Sequence, residues 1–225
     1  MKRTGHLFEE FCSFDNLYLA SQKAQKGKKY KYATAAFNFE IEKNLLKIQK
    51  KLLEHNYQFG NYASFYVHDP KKRYISAAPY EDRVVHHAIC NILEPIFEKV
   101  FIYDIYANRK NKGTHKAVQR YIKFCRLNKY VLKCDIKKYF QSIDKAILFS
   151  LIEAKIKDKK FLAVLKKVID SFTFPGSSTQ GIPLGNLTSQ IFANIYLNKM
   201  DHFIKEQLGC CYYLRYVDDF VIFDN

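Results

Sequence analysis

Tyr212-Tyr213-Leu214-Arg215-Tyr216-Val217-Asp218-Asp219-Phe220-Val221-Ile222-Phe223 is the stretch on which the reading of this chain turns. Two runs rich in Tyr, Val, Ile and Phe flank a pair of adjacent acids. Aromatic and β-branched residues suit a pleated, half-buried surface, and Asp suits a turn, so the stretch reads as a β-hairpin with Asp218-Asp219 at its tip. Another apolar run also ends at an acid: Tyr130-Val131-Leu132-Lys133-Cys134-Asp135-Ile136 reads as a strand carrying Asp135 at its end. Such strands bury their acids or set them at a sheet edge, where ionised carboxylates repel. A divalent cation relieves the repulsion, and hard oxygen donors suit Mg2+. Two such ions about 4 Å apart can activate a hydroxyl and stabilise a leaving oxygen. The plain alternative is an ordinary polar turn and an unrelated strand end.

Outward from these two sites the chain alternates irregularly between helix and strand. Ile41, Leu45, Ile48 and Leu52 recur at helical spacing within residues 38–55. Residues 56–68 read as a strand, Asp69-Pro70 as a turn carrying Lys71, Lys72 and Arg73, and residues 73–77 as the returning strand. A helix over residues 80–100 carries Val84, Ala88, Ile92 and Ile96 on one stripe and is broken late by Pro95. Thr114 is placed to N-cap a helix over residues 115–127. Helices over residues 144–156 and 159–171, a Pro/Gly/Ser/Thr-rich loop over 174–185 and a helix over 186–207 complete the chain. There is no internal repeat and no regular β-α alternation, which points to an α+β class with a mixed or antiparallel sheet and excludes a doubly wound fold.

The charge balance is one-sided. Among 225 residues, 37 Lys and Arg face 22 Asp and Glu, a net charge of +15. On a Tyr-rich globular chain this favours a polyanion: nucleic acid first, an anionic membrane surface second. Lys23, Lys26, Lys28, Lys29 and Lys31 interleave with Tyr30 and Tyr32, a combination suited to a phosphate backbone and its bases, or simply to a solvated loop. A second basic cluster, Arg109, Lys110, Lys112 and Lys116, surrounds Gly113-Thr114-His115. No apolar run reaches transmembrane length, and Met1-Lys2-Arg3-Thr4-Gly5-His6 lacks the apolar core of a secretory signal, so a cytoplasmic protein is expected. Six cysteines without a C-x-x-C pair argue against a zinc or disulfide framework and read as buried, reduced thiols. His86 and His87 read as structural.

These motifs resemble a known family. Tyr216-Val217-Asp218-Asp219 resembles the Tyr-x-Asp-Asp box of reverse transcriptases, and Asp135 with Ile136-Lys137-Lys138-Tyr139-Phe140 resembles the first catalytic strand of that family. Arg73-Tyr74-Ile75-Ser76-Ala77-Ala78-Pro79, Asp82-Arg83-Val84-Val85 and Leu93-Glu94-Pro95-Ile96-Phe97-Glu98 are similar to the fingers motifs of bacterial enzymes related to group II introns. Gly185-Asn186-Leu187-Thr188-Ser189-Gln190 stands where intron and retroviral enzymes carry Gln-Gly-x-x-x-Ser-Pro; Leu184 replaces the Gln and Gln190 the Pro. That departure resembles the enzymes of diversity-generating retroelements, in which it accompanies error-prone copying. The alternative is a packing change without consequence for fidelity.

The resemblance implies the fingers and palm of a right-hand polymerase, with an antiparallel palm sheet packed on helices. Residues 1–125 would form an N-terminal segment and fingers, and 126–225 an incomplete palm, with 172–190 at their junction and no thumb following. Asp135, Asp218, Asp219 and the Ile136 carbonyl would hold two Mg2+, with Mn2+ a substitute. Arg73, with Lys71 assisting, would grip a triphosphate. Phe140 would exclude a ribose 2′-hydroxyl, unless it is a core Phe. Leu184, Gly185, Ser189 and Gln190 would lie beside the nascent pair. Arg109, Lys112 and Lys116 would touch the template. Implied partners are an RNA template, a DNA or RNA primer, deoxynucleoside triphosphates and a small basic helical accessory protein, in a bacterial or phage-encoded system. The rivals are an intron-type or abortive-infection reverse transcriptase and, from another class, a non-catalytic RNA-binding fragment.

Overall fold

The computed structural model of the chain describes residues 3–68, 71–174 and 178–225. The Asp69-Pro70 turn, and residues 175–177 of the loop over 174–185, lie outside the described residues. In chain order the elements are α1 (Phe8–Cys12), α2 (Phe14–Ala24), α3 (Tyr32–Phe39), α4 (Ile41–Leu53), β1 (Ala63–His68), β2 (Lys72–Ala77), α5 (Tyr80–Glu98), α6 (Thr114–Leu127), β3 (Tyr130–Asp135), α7 (Tyr139–Ser142), α8 (Lys145–Glu153), α9 (Lys159–Asp170), α10 (Leu187–His202), a π-helical turn (Phe203–Gln207), β4 (Tyr213–Tyr216) and β5 (Asp219–Asp224). This is the α+β class expected, with a small antiparallel sheet packed on helices.

Helix boundaries follow local chemistry. Ser13 caps α2 by accepting from the Asn16 amide at 3.2 Å, and Asp158 caps α9 through the Lys160 and Phe161 amides. Pro95 does not break α5, which runs on to Glu98. An interior proline costs about 3 kcal/mol, but Leu93 and Phe97 are buried on either side of it, and each such side chain contributes about 1.5–3 kcal/mol. Thr114 is not the cap of α6. Gly113, at φ 107°, takes that position, and Thr114 Oγ1 lies 2.9 Å from the Tyr216 hydroxyl instead. The helix expected to reach residue 207 leaves α geometry after His202.

α5 threads the molecule, packing against α2 on one side and α10 on another. The larger core cluster runs from Leu7 to Leu197, so the same packing joins residues from both halves of the chain. His86 is buried within it at 1 % exposure and stacks on Phe59.

The strands form two sheets. β1 and β2 make an antiparallel hairpin, with Val67 opposite Arg73 and Ala63 opposite Ala77. The expected strand over 56–68 is shortened to Ala63–His68 because Asp82 claims the chain before it: its carboxylate accepts from the Tyr57 hydroxyl at 2.7 Å and the Gly60 amide at 2.8 Å. The second sheet has the order β3-β5-β4, all antiparallel. The last strand, β5, is therefore the central one. β3 forms one edge, and Tyr130, Val131 and Leu132 are exposed along it. Ala117 and Phe124 of α6 cover Leu214, Val221 and Phe223 in a second, smaller core.

No helix among the described residues is long and apolar enough to cross a membrane. All six cysteines are free, but only Cys12 and Cys90 are buried; Cys125 and Cys211 are exposed, correcting the expectation of uniformly buried thiols.

Candidate active site

The carboxylates of Asp135, Asp218 and Asp219 each place an oxygen within 4.8 Å of the other two. The sheet register creates this meeting. Asp135 ends β3 directly opposite Asp219 of β5, and Asp219 also pairs with Tyr216 of β4. The hairpin turn is therefore Val217-Asp218, one residue earlier than the sequence suggests; Asp219 belongs to the strand. Val217 has φ 58°, a conformation that strains a β-branched residue. Burial pushes the Asp218 carboxyl up; the charges of Asp135 and Asp219 add to this, while its own backbone amide and Arg73 pull it down. The three acids thus concentrate negative charge at one point, with Arg73 the cation that offsets it at Asp218.

The three acids line a cleft of about 540 Å³ that is also lined by Lys72, Arg73 and Tyr74 of the hairpin. Ile136, Lys138, Phe140, Leu184, Gly185, Asn186 and Gln190 complete the lining relevant here. β2 is held to the segment beneath it by the Ser76 amide, which donates to the Leu184 carbonyl at 3.0 Å. Gly185 makes that approach feasible: its φ is 117°, and a Cβ there would meet Ile75 Cγ2 at 3.0 Å. The half-buried Phe140 ring packs against Tyr139 at 5.6 Å between centroids.

Other sequence-selected residues lie elsewhere. Lys71 is exposed and outside the cleft lining, and Ser189 is buried at 1 % exposure behind it. The Arg109 guanidinium is taken up by the chain itself: it pairs with Glu98 at 2.6 Å and donates to the Ile102 and Ile105 carbonyls, with a side-chain exposure of 6 %. Lys112 sits 3.2 Å from the centre of the Tyr103 ring and donates to the Tyr103 carbonyl. Lys116 donates to the Asn111 carbonyl at 2.7 Å. None of the three lines the cleft.

Residues without an expected role also line the cleft, Lys138, Asn186 and Tyr74 among them. Lys138 has φ 53° at the start of α7, which turns the chain sharply just after Asp135. A sequence signal existed for it, as the second of two lysines directly after the acid-bearing strand.

The family model for reverse transcriptase (RNA-dependent DNA polymerase) matches residues 67–225, which include the cleft and all three acids. The chain belongs to the reverse transcriptase family. The chain is 27 % identical over 201 residues to the group II intron-encoded protein LtrA of Lactococcus lactis subsp. cremoris, a match covering 86 % of this chain and 33 % of LtrA. It is 28 % identical over 138 residues to an uncharacterized 91 kDa protein in the cob intron of Schizosaccharomyces pombe, covering 60 % of this chain and 17 % of that protein. The chain thus spans a third or less of the length of these relatives. Among solved structures, a partial Cas6-RT-Cas1–Cas2 complex superposes with a TM-score of 0.57 over 97 % of this chain and 38 % of that one, at 16 % identity. At that identity the likeness shows the fold alone, a fingers-and-palm arrangement.

Proposed function

We propose that the chain is the fingers (residues 1–125) and palm (residues 126–225, with 172–190 at the junction) of an RNA-directed DNA polymerase. The observation that carries this reading is the convergence of Asp135, Asp218 and Asp219 within 4.8 Å in a cleft also lined by Lys72 and Arg73. Three acids pressed together against their own repulsion serve no purpose in a protein that merely binds an anion; they fit a divalent cation. Asp135, Asp218, Asp219 and the Ile136 carbonyl would hold two Mg2+, or Mn2+ in their place. Such ions, when bound, neutralise charge at the attacking and leaving oxygens of nucleotidyl transfer.

The chain's own residues would do the rest. Arg73, reaching from the hairpin, would grip the triphosphate through its planar fork, with Lys71 and Lys72 adding charge. The Phe140 ring would close the space a ribose 2′-hydroxyl needs. Gly185 and Leu184 would present a smooth apolar surface to the nascent pair, with Gln190 and the buried Ser189 behind them. Lys112, Lys116 and the Lys/Tyr segment over residues 23–32 would meet the template backbone, whereas Arg109 would act by shaping its loop. RNA template, primer and deoxynucleoside triphosphates are the partners in this reading.

The apolar Leu184, in place of a polar side chain, supports error-prone copying of the diversity-generating kind, which would bring a small basic helical accessory protein. The matches to intron-encoded proteins favour a second reading, an intron-type enzyme of ordinary fidelity. Primer extension on poly(rA)/oligo(dT) with Mg2+ tests the activity. Extension that Asp218→Asn abolishes is expected; no extension by the chain, or equal extension by the variant, overturns the polymerase reading. Sequencing cDNA from a mixed template then separates the two kinds. Errors concentrated opposite adenine mark the first, and uniform errors the second.

A further inference from the structure

A buried network lies directly beneath the strained hairpin turn. Arg215 is fully buried, at 0 % exposure, in the middle of β4. Its guanidinium forms a two-pronged pair with Asp201 of α10, Nε to Oδ1 at 2.7 Å and Nη2 to Oδ2 at 2.6 Å. Asp201 is also at 0 % exposure and accepts from the Tyr213 hydroxyl at 2.6 Å as well. The remaining arm, Nη1, donates to Asn194 Oδ1 at 3.2 Å and to the carbonyl of Val217 at 2.7 Å. Val217 is the residue at φ 58°, immediately before Asp218.

Two physical facts give this arrangement a purpose. A β-branched residue at positive φ persists only where its surroundings over-determine it. A buried ion pair is a poor source of stability, because desolvation offsets the attraction. Here the pair is spent on fixing one carbonyl, that of the strained turn. The same helix steadies the other side of the centre: the Tyr139 hydroxyl, four residues after Asp135, donates to the Ala193 carbonyl at 2.6 Å. α10 is thus a common frame, holding the Asp135 side through Ala193 and the Asp218 side through Asn194 and Asp201.

We infer that Arg215, fixed by Asp201, is a positioning residue for the carboxylate centre: it clamps the Val217 carbonyl so that the turn aims the Asp218 carboxylate at the point shared with Asp135 and Asp219. The inference rests on the reading of that centre as a divalent-metal site.

The test is Mn2+ binding to the 225-residue chain, followed by electron paramagnetic resonance without nucleic acid, alongside primer extension. Arg215→Lys keeps the charge but cannot hold Asp201 and Val217 together. Its Mn2+ dissociation constant is expected to rise about tenfold, as for loss of a group that orients a metal ligand, with the far-ultraviolet circular dichroism of the native fold retained. Adding Val217→Gly to that variant is expected to recover most of the loss, because glycine adopts φ near 58° without strain. A merely structural Arg215 would show no such rescue. Should Arg215→Lys not fold, Arg215→Met combined with Asp201→Leu removes both buried charges at once and carries the same two expectations. Unchanged Mn2+ affinity, or a loss that Val217→Gly does not recover, overturns the inference while leaving extension by the wild-type chain to support the polymerase reading. No Mn2+ binding by the wild-type chain overturns both.

Discussion

Asp135 and Asp219 are register partners across the β3–β5 ladder, two like charges set directly opposite each other at the end of the sheet. A cross-strand pair of like charges costs about 0.2–1 kcal/mol. The sheet tolerates this strain at the very position where Asp218 adds a third carboxylate. Asp135→Asn should therefore stabilise the metal-free chain, raising Tm by a few degrees at low salt. The same change should lower primer extension by at least about 100-fold, since the charge at stake is worth several kcal/mol in the transition state. Differential scanning calorimetry and extension assays, run on one preparation, check both directions. A variant that loses activity while also losing stability would show that Asp135 supports the fold.

Acid should weaken the protein through the buried His86 and the half-buried His87. Burial, with His87 and Arg83 nearby, pushes His86 down to about 3. Burial, with Lys23 and Lys28, pushes His87 down to about 4. Neither His86 ring nitrogen has a hydrogen-bond partner among the described residues. An unfolded imidazole titrates near 6.5, so between the folded and unfolded values the unfolded chain binds more protons. Stability from these residues is therefore complete above about pH 6.5 and falls as the pH drops toward their folded values. At pH 5 each is expected to cost about 2 kcal/mol. His86→Leu should narrow the Tm gap between pH 7 and pH 5 by about half; an unchanged gap would assign the acid sensitivity to other groups.

Gly185→Ala should destabilise the chain by about 1–3 kcal/mol, the cost of holding a non-glycine residue in a sparsely populated backbone region. The added methyl meets Ile75 Cγ2 at 3.0 Å, so the Ile75 side chain on β2 must also give way. Arg73 rides on β2, and the expected kinetic signature is a raised KM for the nucleotide. Thermal melts together with nucleotide titrations test this, and a variant with wild-type values in both would refute the tight contact.

Phe140→Ala should relax sugar selection. Removing the ring opens the cleft beside Asp135, and the ratio of ribonucleotide to deoxynucleotide incorporation is expected to rise at least about tenfold, or about 1.4 kcal/mol of discrimination. Single-nucleotide addition with each sugar measures the ratio. If deoxynucleotide use falls and the ratio stays fixed, Phe140 serves packing alone.

Much of this arrangement is legible in the sequence because its signals are local. The alternation in 212–223, the apolar run ending at Asp135 and the helical stripes of α4 and α5 each reside in a few consecutive residues. What escapes is decided by partners far along the chain. Thr114 has every local mark of a helix cap, yet Tyr216 takes its hydroxyl. Residues 56–62 look like strand, yet Asp82 binds them out of the sheet. Arg109 looks like a free cation until Glu98 and two carbonyls enclose it. Arg215 left one trace: a charge in an apolar strand at the same parity as the inward-facing Tyr213. Its partner Asp201 lies on another element and has no sequence mark of its own.

The core that runs unbroken from Leu7 to Leu197 also governs how the molecule comes apart. α5 packs against both α2 and α10, so the N-terminal and C-terminal halves of the chain share their interior and are expected to melt together. Heating should produce one endotherm for the pair. Any give between Arg73 and the acids must then come from the β1–β2 hairpin, tied at its base by Ser76 and exposed along the whole of β1. The molecule is built less like two jaws on a hinge than like a solid block with one sprung finger.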